Sequence, residues 1–187
     1  MWRAVPALSG ELVCFLDADT EAFASHFASG LIGPLVCEQG LSFVKAFYER
    51  PLRHEGLFLP ASGGRVNHLL ARPALEVFYP ELSAVRQPLA GEVAARRELL
   101  EQIPFTTGYG VEIAMLIDVY RRIGLDGIAQ VDLGEHRNRS QPLAALTPMA
   151  TTVLATIARR LSEEGRLHGV ADAAPVERPA HARAALA

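Results

Sequence analysis

The sequence predicts an α/β fold, because strand-like apolar runs alternate along it with segments of helical periodicity. The first run, Leu12 to Leu16, follows Gly10 and ends in acidic residues, which is typical of a buried strand that leads into a polar loop. Residues 41–48 and 128–134 are further strand candidates. The last helical pattern repeats an apolar residue at every fourth position from Met149 to Leu161.

Composition narrows the class of protein. Half of the 187 residues are apolar and 21% are charged, which fits one globular domain. The formal net charge of -3 provides no basic field for nucleic acid or an anionic membrane. The longest apolar stretch is interrupted by Glu112 and Asp118, so no membrane span is expected. The two cysteines, without a secretory leader, indicate a cytoplasmic protein with reduced thiols.

The first half of the chain is assigned from its turn residues. Residues 23–36 predict a short helix, a turn and another apolar piece. Residues 50–64 combine prolines and glycines with little periodicity, which predicts a mobile loop. A helix is expected to begin at Gly63-Gly64-Arg65 and to bend or restart near Pro73.

The second half is assigned in the same way. Residues 87–92 predict a turn, Ala94 to Ile103 a helix, and residues 104–110 a loop. This loop leads into a long helix that ends near Gly124. Beyond His168 the mixture of alanine, proline and charge predicts a disordered tail. The folded domain is therefore expected at residues 1–168 and the tail at 169–187.

The loop after the first strand contains Asp17-Ala18-Asp19. Two carboxylates one residue apart at the carboxyl end of a strand can hold Mg²⁺, which takes one or two carboxylates while diphosphate oxygens complete its shell. The Asp-X-Asp motif of nucleotide-sugar glycosyltransferases binds a metal ion in this way. The alternative is that the two acids only form a turn and remain solvated.

Several longer blocks carry a resemblance to one family. In order they are FLDADT, LIGPLV, VKAFYERPL, GGRVNHLLARP, QPLAGEVAARRELLEQIPF, TGYGVEIAMLIDVYRRIGLDGIAQVDLG and HRNR. Together they resemble glucosyl-3-phosphoglycerate synthases over residues 1–165. The resemblance implies a partial GT-A, Rossmann-like glycosyltransferase fold with carboxyl-terminal helices. It also implies retaining transfer of glucose from UDP-glucose to 3-phosphoglycerate, with Mg²⁺ or Mn²⁺ as cofactor and a possible homodimer.

The position of the Asp-X-Asp motif departs from the family. There it lies near the middle of the nucleotide-binding domain, after units that hold the uracil and ribose, whereas here it begins at Asp17. The sequence is therefore expected to represent a carboxyl-terminal portion of such an enzyme. Two alternatives are a truncated, non-catalytic remnant and a related synthase that uses GDP-mannose.

The resemblance assigns the donor and metal residues. Asp17, Ala18 and Asp19 would bind the donor, with Asp17 towards the ribose and Asp19 on the metal that bridges the diphosphate. His136 would be the second metal ligand if HRNR is matched directly. An ungapped count from the neighbouring blocks instead puts Asn138 at that position. The other histidines (His26, His54, His68, His168 and His181) are expected at the surface.

The acceptor site is assigned to Gly64, Arg65 and Asn67. Glycine lets a phosphate approach the backbone, a helix amino terminus offers free N–H groups, and an arginine adds a bidentate charge. Asn67 stands where the family usually has threonine, and both side chains can donate a hydrogen bond. The alternative is a flexible Gly-Gly loop followed by a solvated arginine.

The remaining site residues also follow from the resemblance. The backbone oxygen of Leu89 would lie near the anomeric carbon, since front-face attack in this family needs no enzyme nucleophile. Tyr109 and Glu112 match the family's GYGVE motif, in which the glutamate contacts sugar or acceptor and orients the attacking hydroxyl. Alternatively, Glu112 only stabilises a helix amino terminus. The stripe from Met149 to Leu161 is a candidate dimer contact, with packing inside one chain as the alternative.

Overall fold

The computed structural model describes residues 3–20, 23–54, 57–59, 64–136 and 141–167. Its main sheet has four strands: β1 (Leu12–Phe15), β2 (Phe43–Glu49), β5 (Val93–Arg96) and β6 (Ile128–Glu135). Their order across the sheet is β1-β5-β2-β6. The β2–β6 pair is parallel, and β5 runs antiparallel to both of its neighbours. The three strand candidates of the sequence are therefore confirmed.

Helices cover both faces of this sheet. The α-helices are α1 (Ser25–Cys37), α2 (Arg72–Phe78), α3 (Arg97–Glu101), α4 (Val111–Ile123) and α5 (Leu143–Glu163). A π-helical segment, Asn67–Ala71, leads directly into α2. Short 3₁₀ turns occupy Val5–Ala7, Pro80–Ala84 and Gly108–Gly110.

Three apolar clusters hold these layers together. On one face of the sheet, α1 buries Phe27, Leu31 and Leu35 against strand residues that include Val44. On the other face, α3 and α4 pack on β1, β2 and β5. The third cluster joins the α2 region to α4 and α5, beside the sheet. The side chains of α4 are buried without interruption from Ile113 to Val119, because this helix lies between two of the clusters.

The strand β5 corrects the sequence prediction for residues 94–103. These residues were expected to form one helix, but Val93 to Arg96 is a strand and the helix begins only at Arg97. Val93, Ala94 and Ala95 are at most 2% exposed between β1 and β2. Burial in the middle of the sheet outweighs the helical propensity of this alanine- and arginine-rich segment.

Two other segments also differ from the prediction. The expected loop at residues 50–64 contains a short antiparallel hairpin, β3 (Leu52–His54) with β4 (Leu57–Leu59). Residues 25–37 form one helix, although a turn was expected within it. This helix continues through Pro34 because Leu31 and Leu35, on either side of the proline, are both fixed in the core.

The prediction for the apolar stripe of α5 is also corrected. Val153, Ile157 and Leu161 are at most 2% exposed within a single chain, and Met149 packs against the same cluster. The stripe therefore packs inside the chain, and the prediction that it forms a dimer contact is wrong. The buried ion pair between Arg160 and Asp118, with 2.7 Å between Nη2 and Oδ2, also joins α5 to α4.

Some predictions fall outside the described residues. These are the tail at 169–187, the alternative metal ligand Asn138, and Gly63 at the expected helix start. Within the described ranges, no helix combines the length and the apolar character that crossing a membrane requires.

Candidate functional site

A cavity of about 340 Å³ opens at the carboxyl end of β1. We call it the central cavity; its walls come from the loop after β1, the start of the π-helical segment, the turn before β5 and the start of α4. Every described residue that the sequence assigned to the site lines this cavity except Ala18, which is exposed beside it. These residues are Asp17, Asp19, Gly64, Arg65, Asn67, Leu89, Tyr109, Glu112 and His136.

The acidic loop forms one wall of the central cavity. Asp17 is half-buried and lies against Gly91, so closely that a Cβ at Gly91 would be 2.5 Å from Asp17 Oδ1. Burial raises the pKa of Asp17, and the nearby Glu92 and Asp19 carboxylates raise it further. Asp19 is exposed to the cavity. Glycine is therefore required at position 91 for this approach of carboxylate to backbone.

His136 borders the same wall from the end of β6. Its buried ring stacks on Tyr48, with 4.3 Å between ring centroids. Nε2 lies 3.0 Å from the hydroxyl of Thr20, which donates its hydrogen to the carbonyl of Asp17. The hydroxyl must therefore accept from Nε2, and this places the ring proton on Nε2. Nδ1 has no hydrogen-bond partner within the described part of the chain.

Glu92 lies behind His136, and sequence reasoning did not identify it. Its Oε1 is 2.8 Å from His136 Nε2, which is an ion-pair distance. Burial alone raises the pKa of Glu92, but the His136 ring, a backbone hydrogen bond and Tyr48 together lower this pKa below the usual value. A carboxylate behind a ligating histidine fixes the ring orientation and tautomer.

The donor set fits a hard divalent cation with few protein ligands. Asp19 and His136 both line the central cavity; Asp19 offers a carboxylate, and His136 has a buried ring nitrogen without a hydrogen-bond partner. Among the residues that the structure describes, no group of three or more His, Cys, Asp or Glu side chains forms a complete metal site. For Mg²⁺ or Mn²⁺, diphosphate oxygens and water would complete the shell around these two ligands.

A second wall of the central cavity contains the residues predicted for the acceptor. Gly64 has a left-handed φ of 67° and precedes the first helical turn. Arg65 lines the cavity, and its guanidinium donates to the carbonyl of Gln141. Asn67 is 6% exposed, and its amide is used within the protein. Its Oδ1 accepts from the backbone N–H of Leu89 at 3.3 Å, and its Nδ2 donates to the carbonyl of Arg86 at 3.4 Å.

Residues 86–91, which we call the Leu89 turn, lie between these two walls. Asn67 contacts the turn from the acceptor side, and the Asp17 carboxylate lies against its far end. Gln87 donates to the carbonyl of Tyr48 on β2. The turn is therefore fixed to three different elements of the fold, and Leu89 itself is half-buried at the cavity surface.

Lys45 lies beneath the Leu89 turn and was missed at the sequence level, where it only interrupted a strand. Its side chain is 1% exposed, and Nζ donates to the carbonyl of Ala90 at 2.8 Å. Burial lowers the pKa of Lys45 to about 8, although the carboxylates of Glu112, Glu92 and Asp17 oppose this shift. A signal existed in the composition: Lys45 is the only lysine, and the other 17 of the 18 lysine and arginine residues are arginines.

Tyr109 and Glu112 enter the cavity at the start of α4. Tyr109 is 51% exposed, and Glu112 is half-buried in the first helical turn. Burial raises the pKa of Glu112, and the Asp17 and Glu92 carboxylates add to the effect. Of the other histidines, His26 and His68 are exposed, as predicted. The His54 side chain, His168 and His181 lie outside the described residues.

Comparison with solved structures assigns the class of protein. The sheet and its covering helices are those of part of a GT-A glycosyltransferase fold. More particularly, the chain is similar to glucosyl-3-phosphoglycerate synthases, as the sequence motifs predict. The crystal structure of the Mycobacterium tuberculosis enzyme with Mn²⁺, UDP-glucose and phosphoglyceric acid matches with a TM-score of 0.78 and 45% identity. That match covers 86% of this chain and 53% of the crystallised one.

Sequence comparison agrees. The Petrotoga mobilis synthase is 44% identical over 167 residues, which are 89% of this chain and 51% of the relative. The Mycolicibacterium smegmatis synthase is 46% identical over 167 residues, which are 88% of this chain and 55% of the relative. The chain thus spans about half the length of the curated relatives it matches, and a carboxyl-terminal portion fits. No protein-family model matches the sequence.

Proposed function

We propose that the chain provides the metal and acceptor sites of a retaining glucosyltransferase that moves glucose from UDP-glucose to 3-phosphoglycerate. One observation carries the proposal: a single cavity is bordered by the acidic loop with His136 on one side and by Gly64 and Arg65 on the other. A metal-diphosphate and an acceptor phosphate would therefore meet across the Leu89 turn. The relatives crystallised with Mn²⁺, UDP-glucose and phosphoglyceric acid support the same assignment of ligands.

The proposed reaction exchanges one bond at the anomeric carbon for another. The bond to the diphosphate oxygen breaks with its electron pair leaving on UDP, and the acceptor hydroxyl oxygen bonds to the same face of the carbon. The hydroxyl proton passes to the departing diphosphate, which lies on that face. When bound, the divalent cation supplies positive charge to the diphosphate oxygens. Asp19 and His136 would hold it, with the ring nitrogen fixed by the carboxylate of Glu92.

The chain's other cavity residues orient the reactants. Arg65 and the first helical N–H groups would bind the acceptor phosphate, which places its hydroxyl over the Leu89 turn. The Leu89 carbonyl would face the anomeric carbon as positive charge develops there. Glu112, which lines the cavity from the first turn of α4, would accept a hydrogen bond from a sugar or acceptor hydroxyl and so fix its direction.

Calorimetry of the purified chain tests the proposal directly. When the donor pocket is completed by the nucleotide-binding units that precede the motif in this family, we expect saturable binding of UDP-glucose that requires Mn²⁺ or Mg²⁺, and formation of glucosyl-3-phosphoglycerate when 3-phosphoglycerate is added. The Asp19→Asn variant is expected to lose the metal-dependent part of donor binding. GDP-mannose is titrated in parallel, and a preference for it would overturn the choice of donor. Binding of 3-phosphoglycerate without any binding of a nucleotide sugar would instead identify a non-catalytic remnant.

A further inference from the structure

The buried ammonium group of Lys45 does not take part in the proposed chemistry at the cavity surface. Lys45 does not line the central cavity, so it is not a group that touches substrate. It lies one layer below, in the middle of β2, where its Cα pairs with Val93 on β5 and Gln130 on β6. Burying a lysine at the centre of a sheet costs free energy unless its charge is paired or hydrogen-bonded.

The contacts of Lys45 point towards the Leu89 turn. Nζ donates to the carbonyl of Ala90, the residue that follows Leu89, at 2.8 Å. The backbone of Leu89 is held from the other side, where its N–H donates to Asn67. Ala90 also closes the turn, because its N–H donates to the carbonyl of Gln87 at 3.1 Å. The Leu89–Ala90 peptide is thus closed by this backbone bond, and the peptide units on either side of it are held by the side chains of Asn67 and Lys45.

The charge of Lys45 has a second effect at the same place. Three carboxylates of the cavity region, those of Asp17, Glu92 and Glu112, interact electrostatically with its ammonium group. Asp17 in turn lies against Gly91 at the end of the Leu89 turn. A cation beneath the turn therefore offsets the mutual repulsion of acids that line its edges. Lysine suits this role, since its ammonium is compact and its stem flexible, whereas a guanidinium is broad and planar.

We propose that Lys45 is a positioning residue, which holds the Leu89 turn against the sheet and so sets the geometry of glucosyl transfer. This inference rests on the proposed function for its catalytic consequence, but the holding of the turn is measurable without turnover. A displacement of about 1 Å at a reacting centre costs about 100-fold in rate. Loss of Lys45 should therefore lower kcat rather than weaken acceptor binding.

The first test compares Lys45→Met with Arg96→Met. Arg96, on β5, also donates from a cationic side chain to backbone carbonyls, those of Leu41 and Leu35, but it does not line the cavity. Hydrogen exchange of the Leu89 and Ala90 amides should become about 10-fold faster or more in Lys45→Met and remain unchanged in Arg96→Met. In Lys45→Met, kcat should fall about 100-fold while KM for 3-phosphoglycerate changes less than about two-fold. Unchanged exchange at both amides would overturn the proposal.

A second measurement covers the case in which Lys45→Met does not fold. Because Lys45 is the only lysine, the chain labelled with ¹⁵N-lysine has a single side-chain nitrogen resonance. A held ammonium should give Nζ–H signals protected from exchange with water, and a signal lost to rapid exchange would refute the hydrogen bond to Ala90. Amide hydrogen exchange and the Nζ–H signals test the role of Lys45 even if the wild-type chain forms no product. An absence of product would count only against the proposed function.

Discussion

Gly91 decides whether the acidic loop and the Leu89 turn can touch. A Cβ at this position would lie 2.5 and 2.7 Å from the two carboxylate oxygens of Asp17. Gly91→Ala must therefore displace either Asp17 or the turn. We expect the free energy of unfolding to fall by about 1–3 kcal/mol. Calorimetric affinity for UDP-glucose with Mn²⁺ should fall about 10-fold, since displacement of the turn also misplaces the donor site.

Gly33→Ala is the matched control for Gly91→Ala. Nothing lies within 4 Å of a Cβ at Gly33, which is inside α1. This variant should gain about 0.5–1 kcal/mol of stability from helix propensity and leave donor binding unchanged. An equal loss of affinity in both variants would show that the contact with Asp17 is not the cause.

Lys45 gives the protein a distinctive pH dependence. Its pKa is lowered from 10.5 to about 8 by burial, so between these values the unfolded chain binds the extra proton and the folded chain does not. Stability from this group therefore rises with pH across that window, by up to about 3 kcal/mol. Burial raises the pKa values of Cys14 and Tyr48, and these groups act in the opposite direction as pH rises.

The difference between wild type and Lys45→Met isolates the effect of this lysine. Urea unfolding from pH 8 to pH 10.5 should show wild type gaining stability relative to the variant, because Cys14 and Tyr48 are common to both proteins. A constant difference across this range would mean that the lysine is not desolvated in the folded chain.

At the scale of the element, two residues of α5 allow a test of whether this helix packs within the chain or between chains. Ile157 is fully buried in the third apolar cluster, whereas Leu154, one turn earlier, is 47% exposed. Ile157→Ala should cost about 2–5 kcal/mol in urea unfolding, because it leaves a cavity in the core. Leu154→Ala should cost less than about 1 kcal/mol. Light scattering should give both variants the same mass as wild type, and dissociation caused only by Ile157→Ala would restore the dimer interpretation.

The elements also show why sequence reasoning succeeded for some segments and failed for others. The runs at 12–16 and 128–134 have turn residues at their ends and branched side chains within, so local signals and tertiary packing agree. For residues 93–96 they disagree, since Ala94 and Ala95 favour a helix locally and are strand residues only because β1 and β2 enclose them. No local pattern carries that information.

At the scale of the whole molecule, the predicted site residues come from segments far apart in sequence, yet all those described except Ala18 line one cavity. Motif resemblance identified the residues at the cavity surface. It did not identify Lys45 or Glu92, because their roles depend on what lies behind the surface: the carbonyl of Ala90 and the ring of His136. Such supporting contacts have no spacing in the sequence by which they could be recognised.

Mutations should affect acceptor binding and metal binding separately, because the two ligands are expected at different walls of the cavity. Arg65 lies on the acceptor wall and Asp19 on the metal wall. Arg65→Met should weaken binding of 3-phosphoglycerate about 10- to 100-fold, because one charge-assisted contact is lost, and leave Mn²⁺ affinity unchanged. Asp19→Asn should weaken Mn²⁺ binding and leave 3-phosphoglycerate unaffected. Calorimetry with each ligand alone measures both effects.

Arg86→Met is the control for the charge removed in Arg65→Met. Arg86 is exposed and stacks on Phe47 at 3.9 Å from the ring centroid, and its side chain does not line the cavity. If electrostatic attraction by the whole surface caused acceptor binding, both arginine variants would weaken it equally. If the site is local, only Arg65→Met does so. Loss of Mn²⁺ affinity in Arg65→Met would mean that the two walls are not independent, and that the acceptor assignment of Arg65 must be abandoned.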